Sequence, residues 1–189
     1  MSAITKPGPK GLILAGAAVL AFLKLWEGDQ QHIVYADKLA GGLPTVCAGI
    51  TPHTASRPLA IGDVWTEEEC DAEERRIVKE TQQALIRCLK VSVPQGVFDA
   101  LTSHAHNLGW PDTCGSRAVR LMNAGEMSAG CRALAWNPDG SPAWAYSENQ
   151  YYRGLHRRRL AEMEMCLDGI RGMEGVVGDR PGRGGTDRE

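Results

Sequence analysis

The stretch LWEGDQQHIVYADKLAGGLPTVCAGIT, Leu25 to Thr51, decides the reading of this chain. It carries Glu27, Asp37 and Thr45 at intervals of ten and eight residues, with Gly41, Gly42 and Pro44 between the last two. HIVYA and LPTVCAGIT are short runs rich in β-branched residues. Joined by DKLAGG, they read as a small hairpin or three-stranded sheet. An apolar run stands directly upstream, so a pair of carboxylates lies against a segment fit to enter a membrane.

That run is GLILAGAAVLAFLKLW, apolar from Gly11 to Trp26 except for Lys24, and it follows a start that supplies Lys6 and Lys10. Its uninterrupted part, Gly11 to Leu23, is 13 residues, below the ~20 that span a bilayer comfortably. Three readings compete. One is a cleaved signal peptide, with Val19-Leu20-Ala21 as the best small-residue site. The second is a helix of the protein core. The third, which is preferred, is a marginal anchor that enters the membrane and later leaves it, with Lys24 and Trp26 at its interfacial end.

Composition narrows the class. A net charge of −2 does not advertise nucleic acid as a partner. The six cysteines, Cys47, Cys70, Cys88, Cys114, Cys131 and Cys166, form no CxxC pair. Dispersed in this way after an export-like start, they read as structural disulfides in an oxidising compartment.

Downstream the pattern turns helical. TEEECDAEERRIVKETQQALIRCL opens with Thr66 and Glu69 in capping-box spacing, although Glu73 and Glu74 interrupt its apolar side. SVPQGVFDALTSHAHNLG is a second helix, with Pro94 in its first turn and Gly109 just past its end. Short helices are expected around Arg117 to Asn123 and Ser128 to Trp136, and a last helix over ENQYYRGLHRRRLAEMEMCL, ending near Cys166. The Gly-rich remainder reads as a disordered tail. The expected class is α+β, a small sheet beside a mainly helical body.

Cleaving a glycosidic bond requires a protonated carboxyl for the leaving oxygen and an ionised one to activate water or attack. Glu27, after Leu25 and Trp26, sits where desolvation favours an acid. Asp37 enters a solvated turn that suits a base, and Thr45 is placed to hold the water. On spacing alone, a helix-end glutamate and a turn aspartate account for the same residues.

The motifs add a resemblance. EGDQQHIVYADKLAGGLPTVCAGIT resembles the active-site hairpin of phage-type lysozymes, glycoside hydrolase family 24, the phage endolysins. The shared features are Glu27-Gly28, the aromatic two before the aspartate in Tyr35-Ala36-Asp37, Gly42-Leu43-Pro44-Thr45, and Gly49. TEEECDAEERRIVK, VPQGVFDALTSHAHNLG, SRAVRLMNAG, GCRALAWN and GLHRRRLAEMEMCL each resemble a family block, in the expected order. The resemblance covers about residues 24 to 168.

It implies a lysozyme-like α+β fold that hydrolyses the β-1,4 bond between N-acetylmuramic acid and N-acetylglucosamine in peptidoglycan. Glu27 would be the acid, Asp37 the base or water-positioning carboxylate, and Thr45 the third member. Asp29 is a rival for Asp37, but it lies close to Glu27 and lacks the preceding aromatic. The family is regarded as inverting, which implies carboxyls ~6.5–9.5 Å apart. No cofactor or metal is implied, and the expected partners are glycan strands, with no nucleic acid. The expected state is a monomer.

Some family members are similar in carrying a signal-anchor-release segment before the catalytic glutamate. By that likeness residues 1–26 tether the chain to the inner membrane, 24–168 form the catalytic domain, and 169–189 are the tail. The protein would be exported and then periplasmic in a Gram-negative host, with Glu27 held from Asp37 and Thr45 until release. Two alternatives stay open: a membrane-tethered peptidoglycan-binding module without hydrolysis, and a lytic transglycosylase.

Other residues carry weaker expectations. His104 and His106 point about 200° apart on a helix, so one faces in and one out and a shared metal is not expected. His32, His53 and His156 read as surface residues. Arg153, Arg157, Arg158 and Arg159 read as a solvated basic face, with an ion pair from Arg158 to Glu162, or as a patch attracted to an anionic wall. Trp110, Trp136 and Trp144 are candidates for stacking on sugars, Trp136 more readily core. Six cysteines allow 15 pairings; the expected one is sequential, Cys47 with Cys70, Cys88 with Cys114 and Cys131 with Cys166.

Overall fold

The computed structural model describes residues 11–27, 31–38 and 41–177. The architecture is α+β, as expected. Among the described residues, seven helices run in the order α1 (Ala17–Glu27), α2 (Glu67–Cys88), α3 (Gln95–Leu108), α4 (Trp110–Gly115), α5 (Arg117–Asn123), α6 (Met127–Arg132) and α7 (Arg153–Val177). Between α1 and α2 lies the antiparallel pair β1 (Gln31–Asp37) and β2 (Leu43–Cys47). A second pair, β3 (Tyr146–Ser147) and β4 (Gln150–Tyr151), precedes α7.

Helix α3 is the hub. Val97 through Ala105 are all buried, which marks a helix enclosed on every side rather than one lying on a surface. Val97, Phe98 and Leu101 pack with Leu85 of α2, Met122 of α5, Leu134 and Cys166 of α7. Gly96 and Gly169 set the crossing of α3 and α7. A Cβ on Gly169 would lie 2.9 Å from the Gly96 Cα and 2.9 Å from the Val97 nitrogen, so the backbones themselves touch. This contact explains why α7 runs to Val177 rather than ending near Cys166. Gly169 is an interface residue, and Leu167 and Ile170 beside it pack on the main core. Residues 178–189 of the expected tail lie outside the described residues, as do 1–10.

The apolar N-terminal run is not one helix. Ala15 takes φ 45, and the helix begins only at Ala17. Before it, the Gln95 amide grips Ile13 at both its nitrogen (2.8 Å) and its carbonyl (3.1 Å), and Gln82 Oε1 accepts from the Ala15 nitrogen at 2.8 Å. Val19, Leu20 and Leu23 of α1 are buried in a cluster with Val78 of α2. No helix among the described residues is long and apolar enough to cross a membrane.

The N-cap of α2 is Thr66, in a full capping box with Glu69. All three expected disulfides are present: Cys47–Cys70, Cys88–Cys114 and Cys131–Cys166. Three local expectations are corrected. ENQYY is not the start of the last helix, because Glu148 (φ 48) and Asn149 (φ 63) turn the chain back into the β3–β4 hairpin, where Tyr146 faces Tyr151. Helix α6 stops at Arg132 rather than Trp136. Helix α4 was not expected.

Candidate active site

The candidate site residues fall on α1 and on the β1–β2 hairpin, with α2 and α3 lining the cavity beside the hairpin. Glu27 is the last residue of α1. Its side chain and residues 28–30, Asp29 among them, lie outside what the structure describes, and so does the expected carboxyl separation. Asp37 closes β1 opposite Leu43, and Tyr35 pairs with Thr45. Directly paired residues and their i+2 neighbours share a sheet face, so Tyr35, Asp37, Leu43 and Thr45 lie on one side. Asp37 and Thr45 are diagonal neighbours there, a relation that spans ~7–8 Å between backbones. Thr45 is buried, and its hydroxyl donates to the Leu43 carbonyl at 3.1 Å.

The turn between the strands needs positive φ at Gly41 (67) and Gly42 (85). It closes through the Gly42 nitrogen on the Asp37 carbonyl at 2.7 Å. After β2 the backbone doubles back, with Val46 and Ile50 exchanging hydrogen bonds of 3.0 and 2.9 Å. Residues 62–65 flank β1 through an Ile33–Val64 bridge, so the lobe is a hairpin with a third, irregular edge. The Cys47–Cys70 disulfide ties this lobe to α2.

Between the hairpin and the helices lies a cavity of about 100 Å³, lined by Gly49, Cys70, Glu74, Ile77 and His106 among others. Two of these residues were not singled out from sequence as site residues. Glu74 is buried on α2; the signal for it was the interruption of that helix's apolar side. Its neighbour Glu73 is structural. Burial opposes its ionisation, but hydrogen bonds from Arg76 and from the Ser56 nitrogen and hydroxyl hold the carboxyl below its ordinary range. His106 is half-buried and lines the cavity rather than facing outward, which corrects the expectation of one ring inside and one outside. Burial, with Arg158 nearby, pushes its pKa down to about 4, so it meets the cavity as a neutral ring.

His104 is the fully buried member. Its Nδ1 lies 2.8 Å from the Thr113 hydroxyl, which itself donates to the Gly109 carbonyl at 3.1 Å. A hydroxyl has one proton to give, so His104 carries its own on Nδ1. Burial, with Arg159 and Arg158, pushes its pKa down to about 3. No group of three or more metal-binding side chains occurs among the described residues.

The basic face on α7 is the main correction. Arg153 and Arg157 are exposed, but Arg158 and Arg159 are buried. The expected Arg158–Glu162 pair is present at 3.3 Å, joined by Arg159–Glu162 at 2.8 Å. The Ser103 hydroxyl donates to the same carboxylate at 2.7 Å. Burial pushes the Glu162 carboxyl up, and the guanidiniums and the hydroxyl pull against it. His156 is also buried rather than on the surface, edge-on to Trp136 with ring centroids 4.8 Å apart. His32 and His53 are exposed as expected, and so are Trp110 and Trp144.

The fold matches known proteins. The solved endolysin of Escherichia coli O157:H7 phage FAHEc1 superposes with a TM-score of 0.69 at 26% identity, over 84% of this chain and 96% of that one. A solved P22 lysozyme variant shares the fold, with a TM-score of 0.68 at 22% identity, over 82% of this chain and 99% of that one. A SAR-endolysin of Enterobacteria phage P21 is 29% identical over 139 residues, 74% of this chain and 76% of that protein. The phage lysozyme family model matches residues 24–162, a span that begins three residues before Glu27 and ends at Glu162. The chain belongs to the phage lysozyme family and is a lysozyme of the glycoside hydrolase type that lyses peptidoglycan.

Proposed function

We propose that the chain hydrolyses the β-1,4 bond between N-acetylmuramic acid and N-acetylglucosamine, with Glu27, Asp37 and Thr45 as its reacting group. One observation carries the reading. Asp37 and Thr45 share a face of a hairpin that a disulfide ties to α2, and α1, which ends at Glu27, packs on the same α2. In the inverting course, Asp37 takes a proton from a water held by Thr45 as that water attacks the anomeric carbon. Glu27 gives its proton to the departing oxygen. This chemistry needs no metal or cofactor.

The segment before Glu27 acts as a signal anchor that is later released. The P21 protein carries the SAR-endolysin name. The stitching of Ile13 and Ala15 by Gln95 and Gln82 supports this as the released, refolded state. At 11 residues α1 is ~16 Å long, about half a bilayer core. While the segment is in the membrane the chain is inactive, and it becomes active in the periplasm. Turnover by the membrane-inserted form would refute this.

The test of the chemistry is reducing-end release from purified Gram-negative peptidoglycan, wild type against Glu27→Gln, with products read by mass. Reducing muropeptides from the wild type, and a loss of roughly 10²–10⁴-fold in the variant, are expected for removal of a general acid. Anhydro products would assign a transglycosylase instead. Tight binding without cleavage would assign a binding module.

A further inference from the structure

The cavity beside the hairpin does not end at α2. A second, larger hollow of about 420 Å³ shares Thr54 and Ile77 with it, so the two adjoin at these residues and line up as a trench along α2. From Ile77 to Arg87 the trench follows ten residues of helix, or ~15 Å. An extended peptide of about five residues spans the same length. The volume falls within the ~300–1,000 Å³ of ordinary ligand sites.

The far end of the trench is built from Arg87 and Trp110. Arg76, midway, is already engaged by Glu73, Glu80 and the Thr54 carbonyl. The Arg87 guanidinium, by contrast, makes no hydrogen bond or ion pair among the described residues. Trp110 stands across from it, 47% exposed. The backbones on both sides of this end are fixed. Gly109 before Trp110 takes φ 90, a conformation that strains other residues. The Cys88–Cys114 disulfide pins α4 to the last turn of α2, one residue from Arg87. Asn123 holds the end of α2 through the Cys88 carbonyl (3.0 Å) and the Lys90 nitrogen (2.7 Å). A large ring on a pinned helix and an exposed, uncommitted guanidinium thus stand together at the end of a trench that begins two residues past Thr45.

We infer that this trench binds a carboxylate-bearing peptide arm of the peptidoglycan strand being cut, its carboxylate on Arg87 and its apolar groups against Trp110. The inference rests on the reading of the chain as a peptidoglycan hydrolase. A guanidinium takes a carboxylate through two parallel hydrogen bonds, and a preformed aromatic wall loses little entropy on binding. The trench is therefore a specificity site for cross-linking arms rather than for the sugar chain.

The test uses the oxidised full-length chain on two substrates, intact peptidoglycan and glycan strands stripped of peptide by an amidase. Trp110→Ala and Arg87→Gln should each raise KM on intact peptidoglycan by roughly tenfold at unchanged kcat, the signature of lost uniform binding. On stripped strands neither variant should differ from wild type. Arg87→Lys, which keeps the charge without the fork, should recover part of the loss. An unchanged KM on intact material overturns the inference, and so does an equal rise on stripped strands, which would make the trench a sugar site. If the wild type releases no reducing ends, the hydrolase reading has failed. Co-sedimentation with intact and stripped sacculi then decides the trench, retention on intact sacculi alone supporting it and equal retention overturning it.

Discussion

Replacing Gly169 by alanine sets two physical effects against each other, and the structure decides the sign. Gly169 lies within α7, where alanine is favoured over glycine by roughly 0.5–1 kcal/mol. Intrinsic propensity alone therefore predicts a more stable protein. The added Cβ, however, would meet the Gly96 Cα at 2.9 Å, the Val97 nitrogen at 2.9 Å and the Gly96 carbonyl carbon at 3.0 Å. All three are backbone atoms, so no rotamer change relieves the contact, and α3 and α7 must move apart. Overpacking of this kind costs ~1–3 kcal/mol, sometimes more. The net expectation is a loss of about 1–2 kcal/mol, or roughly 2–8 °C in Tm for a chain of this size. Gly154→Ala is the internal control. It lies in the first turn of the same helix with nothing within 4 Å of the new Cβ, so its Tm should match or slightly exceed that of the wild type. Thermal unfolding of the three oxidised proteins by circular dichroism measures both. A Tm for Gly169→Ala at or above wild type would show that the two helices do not cross at these glycines.

Two further outcomes follow from the packing. Leu23→Ala removes a fully buried side chain between α1 and Val78 and should cost ~2–5 kcal/mol in chemical denaturation; unchanged stability would mean that α1 is not docked in solution. His104 and His106 titrate near 3 and 4 in the folded chain, because burial and nearby guanidiniums disfavour their charged forms. Against ~6.5 when unfolded, the unfolded chain binds the extra protons, so stability is full above about pH 6.5 and falls as pH drops towards 4. At up to ~1.4 kcal/mol per pH unit for each ring, unfolding free energies from urea titrations at pH 7 and 4.5 should differ by roughly 3–5 kcal/mol. A flat response would refute neutral burial of the pair.

The parts of this fold that were legible in the sequence are those decided locally. Thr66 and Glu69 form their capping box whatever packs around them, and the two glycines after Asp37 can serve a turn that bulkier residues would strain. The sequential cysteine pairing also followed chain order. The misreadings fall where local chemistry and tertiary contact disagree. Glutamate and glutamine in ENQYY favour a helix, yet Glu148 and Asn149 accept left-handed φ to turn the β3–β4 hairpin. Gly169 resembles the start of a flexible tail by composition, while its missing side chain is what lets α7 touch α3.

The arginines of α7 show where the missing information was. An arginine and a glutamate four apart look the same on a wet surface and in a core, so the Arg158–Glu162 spacing could not say which. The deciding fact is on another helix. The run from Val97 to Ala105 is apolar enough to be enclosed, yet it contains Ser103 and His104. Polar groups buried that deeply require partners. Thr113 supplies one for His104, and Glu162 supplies one for Ser103. Once Glu162 is drawn inside to meet Ser103, an unpaired carboxylate there would be costly, and its neighbours at i−4 and i−3 must follow it. Arg158 and Arg159 are therefore buried because α3 is polar at Ser103. Reading enclosed helices for their polar residues first, and then assigning charged partners from elsewhere in the chain, would have placed this network without coordinates.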